Sequence, residues 1–93
     1  MSAFHAIIEG HVQGVGFRNF VLTNANNLGL TGWVRNTYAG DVEVYAEGPH
    51  NQLEVLLEAV HRGPRAAFVT AVRSDWQTAA GEFDHFHVFM TSA

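Results

Sequence analysis

A chain of 93 residues, 47% hydrophobic and 15% charged, holds material for one modest core and no second, so residues 1–93 are read as a single domain. Cysteine is absent, which removes disulfides, thiolate nucleophiles and cysteine-based metal sites, and the apolar runs are too short for a membrane span or a secretory leader. Nine carboxylates stand against five arginines and no lysine, a net charge of −4, which argues against the basic stripe of a nucleic-acid binder. A soluble, cytoplasmic, monomeric protein without membrane or nucleic-acid partners is expected, and any anion it binds must be held by one or two arginines and backbone amides.

Glycine and proline divide the chain into six elements and one accessory strand. Residues 3–10 read as a strand ending at Gly10, followed by a loop, His11-Val12-Gln13-Gly14-Val15-Gly16. From Phe17 to Leu28 the apolar residues Phe17, Val21, Ala25 and Leu28 recur at helical spacing, and Gly29 stands where a helix-ending glycine belongs. Residues 32–36 read as a second strand, and Thr37 to Gly40 as a turn. In residues 41–47, Val42, Val44 and Ala46 alternate with Asp41, Glu43, Tyr45 and Glu47, the pattern of a strand with one buried face. After Gly48-Pro49, a helix over 51–61 carries the stripe Leu53, Leu56, Leu57 and Val60, and Gly63-Pro64 ends it. Residues 66–73 and 83–89 read as strands around a polar loop. The order β-α-β-β-α-β, with one C-terminal strand accessory, predicts an α+β, ferredoxin-like sandwich: two helices on one face of an antiparallel sheet. That fold hosts many functions, so activity must be argued from a site.

The segment Gly10 to Arg18 is the most informative. Glycines at 14 and 16 allow a concave turn with inward N–H groups, and the helix that follows offers unpaired N–H groups at the positive end of its dipole. Arg18 falls in the first turn, where a cation is ordinarily disfavoured. A bound anion would offset that penalty, and a phosphoryl group suits amides plus a forked guanidinium. The plain alternative is a strand-to-helix turn with a surface arginine. The loop is not a Walker motif, because no Gly-Lys-Ser/Thr follows, and it is not a dinucleotide fingerprint, because Asn19 takes the place of the third glycine. The run Gly16 to Val21 also echoes an RNA-binding strand, but here it opens a helix in an acidic chain.

Gly-His-Val-Gln-Gly-Val-Gly-Phe-Arg (10–18) resembles the signature phosphate loop of the acylphosphatase family, and Leu28-Gly29-Leu30-Thr31-Gly32-Trp33-Val34-Arg35-Asn36 resembles its second motif. Gly40 to Glu43, the two Gly-Pro breaks and the closing Phe83 to Phe86 segment fit as well, so the resemblance spans nearly the whole chain. It implies metal-independent, cofactor-free hydrolysis of the carboxyl–phosphate bond of a small acyl phosphate, with no covalent intermediate. By matching positions it implies that Arg18 binds the phosphoryl group, that Asn36 holds the attacking water, and that the amides of His11, Val12, Gln13, Gly14, Val15, Gly16 and Phe17 cradle the phosphoryl oxygens together with Arg18. His11 departs from the arginine or lysine many members carry and adds little fixed charge at pH 7. The tail Met90 to Ala93 runs past the usual end, which puts any contact between the terminal carboxylate and the arginine in question. The alternative function is a non-catalytic or accessory anion-binding module of the same family.

Other residues read as structural. Without the resemblance, Asn36 would be a turn former. Gln13 is expected to fix the loop's shape, Trp33 to pack on the sheet, and Arg35 to point away from Asn36 by pleat alternation. Glu43, Glu47, Glu54 and Glu58 read as solvated. His85 and His87 share a strand face, with His5 a possible neighbour, but no converging carboxylate is evident and no metal site is expected. Thr23 and Ser74 lack the His–Asp partners of a triad.

Overall fold

The two periodicities in the sequence, near 3.6 and 2, resolve into helices and strands that share one apolar layer. In the computed structural model, which describes residues 1–92, the chain runs β1 (Ser2–His11), α1 (Phe17–Asn27), β2 (Thr31–Asn36), β3 (Val42–Gly48), α2 (His50–Arg62), β4 (Phe68–Thr78) and β5 (Phe86–Val88). The sheet order is β4-β1-β3-β2-β5. The pairs β1–β3, β1–β4 and β2–β3 are antiparallel, and β5 runs parallel to β2 at the edge. This is the ferredoxin-like α+β sandwich, and β5 is its accessory strand.

Cross-strand register builds the core face. Phe4 opposes Ala46, Ala6 opposes Val44, and Ile8 opposes Val42, while Val34 meets Val44 from the other side. All seven are fully buried, under Phe17, Val21 and Ala25 of α1 and Leu53, Leu56 and Val60 of α2. Burying a side chain of this size contributes about 1.5–3 kcal/mol, so the apolar spacing decides which face each element turns inward. The end of α1 is closed as the glycine predicts: Leu30 N–H bonds the Ala25 carbonyl at 2.9 Å and Gly29 N–H bonds that of Asn26 at 3.1 Å.

Four expectations change. The strand expected to stop at residue 73 continues to Thr78, paired with the start of β1 as far as Ser2↔Thr78. β4 is an edge strand and its last residues are exposed, so it carries no alternating apolar signal there; the last strand, conversely, shrinks from 83–89 to Phe86–Val88. Third, Glu47 is not solvated. It is 2% exposed and accepts hydrogen bonds from the Tyr45 hydroxyl (2.6 Å) and the N–H groups of Ala80 (2.7 Å) and Gly81 (2.9 Å). The chain after β4 folds back over that end of the sheet's outer face, and the carboxylate anchors it; Glu54 and Glu58 are exposed as expected. Glu43 also departs from a solvated face. Burial pushes its carboxyl up, but bonds to His5 and to Arg35 Nε (2.7 Å) outweigh this and hold it below the ordinary value.

Candidate active site

The site begins where β1 ends. Pairing with β4 shifts register between Glu9 and Gly10, and a Cβ at residue 10 would collide with the Phe68 carbonyl oxygen. This bulge turns the chain out of the sheet after His11. Gly14 and Gly16 then take φ of 74° and 80°, left-handed values that strain any residue with a side chain. No atom stands within 4 Å of where a Cβ would sit at either position, so backbone conformation rather than crowding requires glycine there.

α1 starts directly from this turn. Gly16 is its N-cap, no side chain caps the helix, and its first turn holds no acidic residue. The positive end of the helix therefore faces the loop with neither a side-chain cap nor a first-turn carboxylate to neutralise it. Val12, Gly14, Gly16, Phe17, Arg18, Asn19, Asn36 and Val88 line a cleft of about 250 Å³ at this point. None of these is a carboxylate, and among the described residues Arg18 takes part in no ion pair. In a chain of net charge −4, a cleft that has no carboxylate among its described lining residues, and that joins a guanidinium to a helix N-terminus, is an arrangement that favours an anion.

Asn36 reaches the same cleft from the last position of β2 and is 9% exposed. Its backbone is held on both sides. Asn36 pairs with Val42 across the hairpin, and its carbonyl accepts the Ser92 N–H at 3.1 Å. Among the described residues its side-chain amide makes no hydrogen bond to protein, so both donor and acceptor are available to the cleft. Arg35 points to the opposite face, as pleating predicts, bonded to Glu43 and 5.1 Å above the Trp33 ring. Trp33 stacks on Tyr45 and Phe89 and does not line the cleft.

Of the expected phosphate-loop residues, Val12, Gly14, Gly16, Phe17 and Arg18 line the cleft, whereas the side chains of His11, Gln13 and Val15 do not. His11 is exposed at the end of β1, and Val15 packs against the core. Gln13 clasps the loop to the hairpin that carries Asn36: its Nε2 donates to the Thr37 carbonyl (2.7 Å) and the Asp41 carbonyl (2.8 Å). Replacing it with leucine, close in size but without donors, is expected to lower stability by about 1–3 kcal/mol in urea denaturation, because two partly buried carbonyls lose their partners. An unchanged midpoint would show that the clasp holds nothing. Asn19 and Val88 also line the cleft, and no local signal pointed to them as site residues. Val88 arrives through the parallel pairing Val34↔Val88, a contact that connects distant parts of the chain. The terminal carboxylate, on Ala93, lies outside the described residues.

These features match one family. The acylphosphatase family profile fits residues 4–88. An acylphosphatase of Salinibacter ruber is 55% identical over 83 residues, covering 89% of this chain and 87% of that protein. One from Thermus thermophilus is 46% identical over 84 residues, covering 90% and 94%. The crystal structure of acylphosphatase from Bacillus subtilis superposes with a TM-score of 0.92 at 38% identity, covering 96% of this chain and 99% of that one. The chain belongs to the acylphosphatase family and is an enzyme of that class. Among the described residues no helix is long and apolar enough to cross a membrane.

Proposed function

We propose that the chain hydrolyses the carboxyl–phosphate bond of small acyl phosphates by direct attack of water, with Arg18 and the loop amides holding the phosphoryl group and Asn36 holding the water. The observation that carries this reading is the meeting, in one cleft with no carboxylate among its described lining residues, of Arg18 at the start of α1 and Asn36 at the end of β2.

The chemistry asks little more. The leaving group is a carboxylate of low basicity, so no acid is needed to protonate it. Water oxygen bonds to phosphorus as the phosphorus–acyl oxygen bond breaks, and the electron pair leaves with the carboxylate. An acyl phosphate dianion and water become a carboxylate monoanion and dihydrogen phosphate, so both protons of the water end on the product and charge balances. What the protein supplies is neutralisation of the phosphoryl oxygens and alignment of the water. Arg18 forks onto two oxygens, the loop and helix N–H groups meet the others, and the Asn36 amide orients the nucleophile. Asparagine is too weak a base to do more than position it.

The test is a steady-state assay on benzoyl phosphate or acetyl phosphate in the presence of a chelator. Phosphate release is expected to proceed without metal, with inorganic phosphate as a competitive inhibitor. Turnover that the chelator abolishes would overturn the mechanism. Tight phosphate binding with no turnover would make the chain an accessory anion-binding module instead.

A further inference from the structure

We propose that Asp84, His85 and His87 form a binding site for a borderline divalent cation, zinc or a neighbour such as nickel or copper, on the outer face of the sheet. The sequence offered two histidines without a converging carboxylate; the structure places Asp84 beside them. One donor atom from each of the three residues lies within 4.8 Å of the other two. A tetrahedral ion with ligands at about 2.0–2.2 Å needs donors roughly 3.3–3.6 Å apart, a difference that small side-chain rotations close. His5, the other candidate from the sequence, is engaged by Glu43 instead.

The backbone makes the pair. His87 lies in β5 and His85 in the bend that leads into it, while Phe86 between them is buried in the core. The two imidazole centroids stand 4.5 Å apart. His87 lies between Phe83 and Phe89, with ring centroids at 6.1 and 5.7 Å, which limits the ring's freedom and shields the site on two sides. Asp84 Oδ1 lies 2.9 Å from His85 Nδ1, so Nε2 is that ring's free donor. Asp84 serves the ion either by lending it an oxygen or by holding the ring that binds it. Two nitrogens and one oxygen select zinc, nickel or copper over magnesium or calcium, which take oxygen sets. Open positions remain for water, because Asp84 and His85 are exposed.

This site is separate from the cleft. Val88, the next residue along β5, lines the phosphate cleft on the other side of the strand. Metal uptake is therefore expected to order the short edge strand without entering hydrolysis, and the two proposals fail independently.

Calorimetric titration of the full chain with zinc, in buffer free of phosphate and chelators, is expected to show saturable uptake of one ion per chain and a raised unfolding temperature. The double variant His85→Ala/His87→Ala should lose both effects with its circular dichroism spectrum intact. Asp84→Asn should weaken binding by about 10–100-fold. A control, His50→Ala/His61→Ala, should bind as the parent does. Absence of saturable uptake, or unchanged uptake in the His85/His87 double variant, would overturn the proposal.

Discussion

Arg18→Ala is expected to reduce acyl phosphate hydrolysis by at least about 10²–10³-fold, the loss seen when one preorganised donor to developing charge is removed. Among the described residues Arg18 supplies the only charged side chain lining the cleft, so inhibition by inorganic phosphate should weaken with it. Arg18→Lys keeps the charge but loses the planar fork, and should fall between the two. Stability should move the other way or not at all. A cation in the first turn of a helix opposes the dipole by about 0.3–1 kcal/mol, and Arg18 has no carboxylate partner to compensate among the described residues. Phosphate should raise the unfolding temperature of the parent chain and leave that of Arg18→Ala unchanged. Near-full activity in Arg18→Ala would refute the assignment of the phosphoryl site.

Asn36→Ala should separate binding from chemistry. The expected result is a loss of about 10²-fold or more in kcat, the scale of a misplaced reactant, with inhibition by inorganic phosphate nearly unchanged. Asn36→Asp is the sharper variant. It preserves size but replaces a donor with a negative charge in the cleft proposed to hold the phosphoryl group, so it should be no more active than the alanine variant. Full activity in the aspartate variant would show that a proton acceptor, rather than an oriented amide, is what position 36 needs. Because Asn36 is buried at a strand end, unfolding temperatures of both variants belong beside the rates, so that a folding defect is not read as a catalytic one.

How far the sequence reached depends on whether a signal is local. The glycine turn that leads into α1 was legible because left-handed glycines and a helix start leave their mark within a few residues. The helix stripes and the alternation of β3 were legible because burial on one face imposes a period. β4 was cut short and β5 drawn too long because edge strands are paired by backbone, and their exposed side chains need no pattern. Glu47 was misjudged for a related reason: the alternation correctly put it off the core face, but a distant loop covers the outer face at that end.

Chemistry written within a few residues, then, was enough to predict two helices on one face of a sheet, a glycine turn opening a helix at Arg18 and, through its likeness to a known family, the family itself. The meeting of Arg18, Asn36 and Val88 in one cleft and the Gln13 clasp on the hairpin arose from packing. Side-chain spacing encodes which way an element faces, whereas the partner it meets across a sheet or a cleft is set by long-range register and by how the layers close.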